Sequence, residues 1–213
     1  GGVGKMPVIW QVPDNKIPDR WPLVPDKVRH VGDSVAAVVA EDPYIAADAL
    51  DLIEVDYEVL KATIGAKATT ENGKPLVHDE IENNISFKWG LGDREACDKA
   101  FEEADHVVKL DLINQRLIPN AMEPRACAAQ WTAVTENMTV WTTSQNPHII
   151  RFGLSAVTLP MLDEHKLRVI SPDVGGGFGS KIFHYPEEVI VPWIAKKINR
   201  PCKWVATRSE SFM

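Results

Sequence analysis

The stretch Ser171-Pro-Asp-Val-Gly-Gly-Gly-Phe-Gly-Ser-Lys181 places glycine at four of the five positions from 175 to 179. Ordering a glycine costs more backbone entropy than ordering any other residue, so a cluster this dense indicates a loop whose backbone must be approached closely. Successive backbone N–H groups in such a loop can form a concavity that binds an anion. The stretch therefore predicts an anion-binding loop, and the residues around it indicate which kind.

Two familiar phosphate-binding patterns do not fit this loop. A P-loop ends in Gly-Lys-Ser/Thr, whereas Lys181 follows Ser180 and precedes Ile182. The dinucleotide fingerprint G-x-G-x-x-G fails because Ser180 or Ile182 stands where its last glycine is required. The order of elements is nevertheless strand, loop and helix, with a strand predicted over 166–171 and a helix over 185–199. The alternative is a glycine-rich hairpin or surface loop.

A second candidate segment is Thr142-Thr-Ser-Gln-Asn-Pro-His148, which ends a predicted strand and begins a predicted helix. Gln145 and Asn146 lie at this helix start, where free N–H groups favour an electron-rich ligand. An uncharged amide such as that of Gln145 can donate to an oxo or phosphate oxygen without adding charge. The alternative is a glutamine that only fixes its own turn.

A third segment, Asn114-Gln-Arg-Leu-Ile-Pro-Asn-Ala-Met-Glu-Pro-Arg125, is a proline-bracketed turn that carries two opposite charges. Packed together, Glu123 and Arg125 would form an internal ion pair with a structural role.

The distribution of periodic segments divides the chain into two unequal parts, 1–62 and 85–213, joined by a polar, turn-rich linker at 63–84. In the first part, a proline-rich stretch precedes a strand at 34–40, a helix at 44–53 and a strand at 54–59. The second part is predicted to contain helices at 93–104 and 147–157 and strands at 85–89, 106–118, 126–134, 138–144 and 202–207, in addition to the elements that flank the glycine loop. The fold class is therefore α+β.

Composition narrows the function classes. A formal net charge of −7 gives no basic face for nucleic acid or a membrane surface, and no apolar run reaches the roughly 18 residues of a membrane span. The cysteines, Cys97, Cys127 and Cys202, are odd in number and far apart, which favours a reducing compartment and hence the cytoplasm. The histidines form no H-x-x-x-H pair, so a zinc site would need ligands from distant positions.

Taken in order, these motifs resemble the molybdopterin-binding large subunit of the xanthine dehydrogenase, aldehyde oxidase and aerobic carbon monoxide dehydrogenase family. The segments that carry the resemblance are Asn114 to Arg125, Thr143-Ser-Gln-Asn-Pro147, Asp173 to Lys181, Trp204-Val-Ala-Thr-Arg-Ser-Glu210 and, in the first part, Val28 to Pro43 with Glu54 to Glu58. The resemblance implies the end of a small α/β hammerhead domain at 1–62 and the first part of a mixed α+β molybdopterin-binding domain at 85–213.

The resemblance also implies roles for individual residues. Gln145 would hydrogen-bond an oxo ligand of molybdenum, with no side chain of the chain ligating the metal directly. Gly177, Phe178 and Gly179 would contact the cofactor through their backbone, with Gly175 and Gly176 supplying the tight turn beside them. The residues expected to bind the cofactor are thus Gln145, Gly176, Gly177, Phe178 and Gly179, and those expected to act in catalysis are Gln145 and Phe178.

The implied activity is that of a molybdenum hydroxylase, which oxidises an aldehyde, an N-heterocycle or a CO-like substrate with water as the oxygen source. The implied cofactor is molybdopterin, in its cytosine dinucleotide form, with FAD and [2Fe-2S] clusters on partner subunits of a dimer of heteromers. Members that act on purines carry glutamate after the loop lysine, where this chain has Ile182, so a non-purine substrate is expected.

The resemblance covers only an N-terminal portion of such a subunit. The remaining cofactor loops and the catalytic glutamate are expected elsewhere in the protein, so the chain is predicted to be inactive alone. Two alternatives stay open: a non-catalytic assembly fragment of such a complex, and a phosphate-binding module that uses the glycine loop alone.

Overall fold

A computed structural model of the protein describes residues 3–115, 117–155 and 162–212. The motif residue Arg116 and the last part of the helix predicted over 147–157 lie outside these residues. The structure is a mixed α+β fold, as the sequence predicts, and its centre is one four-stranded sheet.

The sheet consists of β1 (Ala126–Thr132), β2 (Asn137–Thr142), β3 (Leu167–Ile170) and β4 (Cys202–Val205) in the order β3-β2-β1-β4. β1 pairs antiparallel with both β2 and β4, while β3 runs parallel to β2. This pairing brings the start of β1 and the ends of the other three strands to the same edge of the sheet. The segments that leave this edge are the ones that the sequence analysis singles out.

The hairpin of β1 and β2 forms because its residues alternate between the two faces and a tight turn joins them. Cys127 and Ala129 are buried on β1, as are Met138 and Val140 on β2. Glu136, in the connecting turn, has a positive φ of 54°. The strands predicted over 126–134 and 138–144 are therefore confirmed, with ends within about two residues.

Helix α4 (Glu187–Ile198) follows the glycine loop and packs on the sheet. Its residues Val189, Val191 and Ala195 join a core that includes Met138, Val140 and Ile150. α3 (Pro147–Gly153), which precedes the glycine loop in the chain, supplies Ile150 to the same core. The strand, loop, helix order predicted around the loop is confirmed.

Two further helices lie outside this core. α1 (Pro43–Leu50) begins at Asp42, whose carboxylate accepts from the N–H groups of Tyr44 and Ile45. α2 (Arg94–Glu102) begins in the same way at Asp93. Both helices start where their capping residues predict, yet neither has a buried residue.

Several predicted strands are wrong. The segments 34–40, 54–59, 85–89 and 106–118 form no strand in the part of the chain that the structure describes. Their apolar side chains are largely exposed, as at Val59, Val108 and Leu112 with 92%, 90% and 80% exposure. Residue type alone favours a strand here, but a strand also needs a neighbour to take its backbone hydrogen bonds.

The predicted linker is held by its own hydrogen bonds. The Asn84 side chain accepts from the Val77 N–H and donates to the Thr69 and Pro75 carbonyls. Ile81 is buried. The linker boundaries remain a prediction, but this segment has a defined conformation set by Asn84.

The N-terminal stretch packs against the second part of the chain. Met6 is 5% exposed and belongs to the core of the sheet, and Val3 packs against that core. Among the described residues, no helix has the length and apolar character to cross a membrane.

Candidate functional site

The candidate site lies at the edge of the sheet where β1 begins and β2, β3 and β4 end. The Thr143 N–H donates to the Ala126 carbonyl at 3.1 Å, and the Ala206 N–H donates to the Arg125 carbonyl at 2.9 Å. The Ser171 hydroxyl donates to the Ser144 carbonyl. Four segments distant in sequence, at 119–125, 142–146, 171–181 and 205–210, are therefore neighbours at this edge.

Gln145 lies against the glycine loop. Its Oε1 accepts from the N–H of Gly179 at 3.0 Å and from that of Lys181 at 3.3 Å. The Gln145 N–H donates to the Lys181 carbonyl at 2.9 Å. Gln145 is an exposed residue, and its Nε2 has no acceptor among the described residues. The amide oxygen thus fixes the loop, and the amide nitrogen is available to donate outward.

The N–H groups of the glycine loop divide into two sets. Those of Gly175 and Gly176 donate to Glu123 Oε2 and to the Val174 carbonyl, both at 2.9 Å, and that of Gly179 donates to Gln145. In 175–182, the N–H groups of Gly177 and Phe178 are the ones with no acceptor among the residues described. The sequence gives no means to separate these two donors from the other loop amides.

The conformation of the loop explains its glycines. The Ser180 N–H donates to the Gly177 carbonyl at 2.9 Å, and the two residues between have φ of 51° and 92°, as in a type I′ turn. The first of these is Phe178, a bulky residue for which positive φ is unfavourable. Such strain is concentrated at functional sites, where the surrounding structure maintains it.

Three other glycines of the loop have side chains lying against them. A Cβ at Gly177 would lie 2.4 Å from Gln145 Oε1, and a Cβ at Gly175 would lie 2.6 Å from the Glu123 Cβ. Gly176 combines a φ of 98° with a Cβ position only 2.9 Å from the Phe178 ring. The loop therefore uses glycine for close packing against Gln145 and Glu123 as well as for backbone freedom.

The backbone N–H groups of Gln145 and Asn146 themselves have acceptors within the fold. The Gln145 N–H donates to Lys181, and the Asn146 N–H donates to the Ser144 hydroxyl at 3.0 Å. The Asn146 side chain does not cap α3; its Nδ2 donates to the Ile182 carbonyl. Both backbone donors of this turn serve the fold, and the available donor is the Gln145 side chain.

The predicted pairing of Glu123 with Arg125 is wrong, although each residue forms an ion pair with another partner. Glu123 accepts from Lys181 Nζ at 2.8 Å, and Arg125 pairs with Glu187 at 2.8 Å. Arg125 also lies over the ring of Tyr185, 4.1 Å from its centre. The two neighbouring residues thus tie the 119–125 turn to two different places, the end of the glycine loop and the start of α4.

The charges around Glu123 favour its ionised form. Burial acts to raise the pKa of Glu123, but the hydrogen bonds from Lys181 and the Gly175 N–H, with the Lys181 charge, outweigh it and hold the pKa below its ordinary value. Lys181 is 3% exposed.

A second carboxyl group, that of Glu188, is buried behind the site. It accepts from the Thr142 hydroxyl at 2.6 Å and from the Tyr185 N–H at 3.0 Å. Burial raises the pKa of Glu188 to about 7, although both hydrogen bonds favour the charged form. Beside it is a small cavity of about 10 Å³, lined by Arg125, Ala126, Thr142, Thr143, Lys181, Tyr185, Glu187, Glu188 and Trp204.

His184, three residues beyond Lys181, is buried without hydrogen bonds. Neither ring nitrogen has a partner within the described part of the chain. Burial, with a smaller effect of the Arg20 charge, lowers the pKa of His184 to about 4. The imidazole is therefore neutral at physiological pH.

The donor set of the site suits an oxygen-rich anion. The donors without an acceptor among the described residues are an uncharged amide and two backbone N–H groups, and such donors stabilise negative oxygen without a mobile counter-charge. In the three described ranges, no group of three or more His, Cys, Asp or Glu could hold a metal ion. Two aromatic side chains, Phe178 and Phe183, are 74% and 63% exposed. The donors therefore fit a group that presents negatively charged oxygen atoms.

Sequence reasoning missed the contacts that three residues make at the site. Arg208 donates to the Ala121 and Met122 carbonyls at 2.6 and 2.8 Å, and Lys181 and Glu123 join two segments by an ion pair. A signal was available, because all three lie within the motifs that carry the family resemblance. Their partners are remote in sequence, so the pairings could not be inferred.

Two family models together match most of the chain. The family model described as molybdopterin cofactor-binding domain matches residues 77–213. The model described as aldehyde oxidase and xanthine dehydrogenase, a/b hammerhead domain, matches residues 6–61.

Among curated relatives, the carbon monoxide dehydrogenase large chain of Afipia carboxidovorans is 35% identical over 202 residues, covering 89% of this chain and 25% of that protein. The nicotine 6-hydroxylase large subunit of Paenarthrobacter nicotinovorans is 35% identical over 193 residues, covering 90% of this chain and 23% of that protein. The chain thus spans about a quarter of the length of these relatives.

Among solved structures, quinoline 2-oxidoreductase from Pseudomonas putida 86 is 31% identical and superposes with a TM-score of 0.86, covering 100% of this chain and 26% of that one. The sheet, the glycine loop and the Gln145 turn all lie within residues 77–213, which match the molybdopterin cofactor-binding model. The chain belongs to the molybdopterin cofactor-binding family, that of the large subunits of xanthine dehydrogenase, aldehyde oxidase and carbon monoxide dehydrogenase.

Proposed function

We propose that this protein forms one wall of the cofactor site of a molybdenum hydroxylase and contributes to oxidation of a carbon centre. One observation carries the proposal: the Gln145 amide lies against Gly177, so Gln145 Nε2 is close to the N–H groups of Gly177 and Phe178, and none of the three has an acceptor among the described residues. These donors match the oxo and phosphate oxygens of a molybdopterin cofactor. When bound, that cofactor supplies a two-electron oxidising centre that transfers oxygen from water to carbon.

Each residue of this wall has a distinct task. Gln145 donates from Nε2 to an oxo group while its Oε1 holds the loop. Gly177 and Phe178 donate their N–H groups to cofactor oxygens, and Gly176 provides the positive φ that directs the chain into this turn. Gly179 takes part through its turn conformation, because its N–H is already donated to Gln145.

The substrate is proposed to be a small, uncharged, non-purine molecule such as CO, an aldehyde or an N-heterocycle. Ile182, at the exit of the loop, brings no carboxylate to recognise a purine. The exposed rings of Phe178 and Phe183 offer an apolar surface in its place.

The assembly is proposed from the relatives. The carbon monoxide dehydrogenase and nicotine 6-hydroxylase relatives are named as a large chain and a large subunit. We infer that partner subunits carry FAD and [2Fe-2S] clusters, that the cofactor is the cytosine dinucleotide form, and that a cytoplasmic dimer of heteromers forms. The hammerhead part at 1–62, the linker at 63–84 and the cofactor-binding part at 85–213 are the proposed domains.

Substitution of Gln145 tests the proposal directly. In the purified complex, Gln145→Glu keeps an oxygen for the Gly179 and Lys181 N–H groups but removes the outward donor. Turnover of CO, an aldehyde or quinoline should fall by about 100- to 1,000-fold, the effect of losing one preorganised donor. Turnover by Gln145→Ala should fall by at least the same factor.

Metal analysis and the visible spectrum of the unaltered complex provide the control. Molybdenum together with flavin and iron–sulfur absorption supports the enzyme. A complex that lacks all three refutes it and favours the assembly fragment. Turnover by the isolated 213 residues with added cofactor would contradict the inference that this wall needs the rest of the subunit. Tight nucleotide binding that Gln145→Ala leaves unchanged would favour the phosphate-binding module.

A further inference from the structure

Glu123 lies where the two ends of the glycine loop meet. Its Oε2 accepts from the Gly175 N–H at 2.9 Å and from Lys181 Nζ at 2.8 Å. The Glu123 N–H returns a hydrogen bond to the Gly175 carbonyl at 3.3 Å. One carboxylate oxygen therefore closes the loop from its first glycine to its terminal lysine.

Lys181 connects this closure to Gln145. Its N–H donates to Gln145 Oε1, and its carbonyl accepts from the Gln145 N–H at 2.9 Å. Its ammonium group is almost entirely buried, and a buried charge is tolerated only when it is paired. The Glu123 carboxylate is that partner, so loss of its charge would disturb the residue that also holds Gln145.

Glu123 is itself held in place. Arg208 donates to the carbonyls of Ala121 and Met122, in the same turn. The Glu123 Cβ lies 2.6 Å from the position that a Cβ at Gly175 would take, so the carboxylate stem packs directly on the loop backbone. Glu123 therefore contacts the loop both through its charged carboxylate and through close packing of its side-chain stem.

We propose that Glu123 is a positioning residue that fixes the direction of the free Gly177 and Phe178 N–H groups by closing the glycine loop through Gly175 and Lys181. The inference rests on the proposed function for its consequence, which is correct seating of the cofactor. The loop closure itself is a property of this chain.

Amide hydrogen exchange of the purified protein tests the closure without the cofactor. In Glu123→Ala, the Gly175 and Gly179 amides should exchange about fivefold faster, as expected when a hydrogen bond of about 1 kcal/mol is lost. Glu123→Gln retains an acceptor for Gly175 and should affect Gly175 less than Glu123→Ala does. Glu136→Ala is the matched control, because Glu136 pairs with Lys166 at 2.7 Å away from the loop. Unchanged exchange in Glu123→Ala would overturn the proposal.

The purified complex gives a second readout. Loss of a residue that orients a metal site lowers metal affinity by about 10- to 100-fold, so Glu123→Ala should lose molybdenum on dialysis and show an altered Mo(V) electron paramagnetic resonance signal. Glu123→Gln should recover part of both, and far-ultraviolet circular dichroism checks folding. Full molybdenum content with an unchanged signal in Glu123→Ala would overturn the seating role. Absence of molybdenum from the unaltered complex would refute the proposed function, and amide exchange would still decide the closure.

Discussion

The pH dependence of stability should reveal two buried groups that act in opposite directions. Burial lowers the pKa of His184 from 6.5 to about 4 and raises that of Glu188 from 4.5 to about 7. Stability changes by about 1.4 kcal/mol per pH unit while folded and unfolded states differ by one proton. Each group therefore changes the free energy of unfolding by roughly 3 kcal/mol across its window.

The signs follow from where the proton binds. As pH falls from 6.5 to 4, His184 binds a proton in the unfolded state but not in the folded state, so its contribution to stability decreases as the pH falls. As pH rises from 4.5 to 7, unfolded Glu188 ionises while the folded carboxyl stays protonated, so its contribution is lost toward neutral pH. Between pH 4.5 and 6.5 the two slopes cancel.

Urea unfolding followed by tryptophan fluorescence at several pH values between 4.5 and 6.5 measures each slope. Relative to the unaltered protein, Glu188→Gln should lose roughly 3 kcal/mol of stability on going from the neutral to the acid end of this range. His184→Leu should gain a similar amount over the same change. Comparison with the unaltered protein removes the contribution of the other carboxylates. Parallel curves for all three proteins would refute the assignment of these protonation states.

Two packing predictions complete the set. Ile150 is fully buried in the core, so Ile150→Ala should lower the free energy of unfolding by about 2–5 kcal/mol. Ile64 is 83% exposed, so Ile64→Ala should change it by no more than about 0.5 kcal/mol. Urea unfolding measures both, and equal effects would contradict the core assignment. Gly177→Ala places a methyl group on Gln145, so it should destabilise by about 1–3 kcal/mol and reduce molybdenum content. Gly90→Ala, with open space around it, should alter neither, and a harmless Gly177→Ala would disprove the close contact.

Several secondary-structure elements follow from local sequence. Asp42 and Asp93 predict the starts of α1 and α2, because a capping carboxylate satisfies N–H groups within its own turn. Alternation predicts the hairpin of β1 and β2 for a similar reason, since its two strands are adjacent in sequence. The strand predicted at 106–118 fails because pairing depends on a remote segment, and nothing in its own residues supplies one.

At the candidate site, too, local features were predictable from the sequence and contacts between remote residues were not. Sequence alone identifies Gln145 and the glycine loop as candidates, since glycine density and an uncharged amide are visible in the residue types. Which N–H groups stay available could not be predicted, because Glu123 and Gln145 take some of them from 52 and 34 positions away. The same holds for Lys181, whose partner is 58 positions distant.

Residue types and short spacings are enough to predict the family, the order of strand, loop and helix, and a glycine loop that is a candidate for binding an anion. Such signals act within a few bonds of the chain. The pairing of Arg125 with Glu187, the closure of the loop by Glu123 on Lys181, and the burial of Glu188 and His184 become visible in the folded chain. They depend on strand register, because the pairing of β1 with β2 and β4 determines which remote turns meet at one edge of the sheet, and burial there shifts the pKa values of the buried groups.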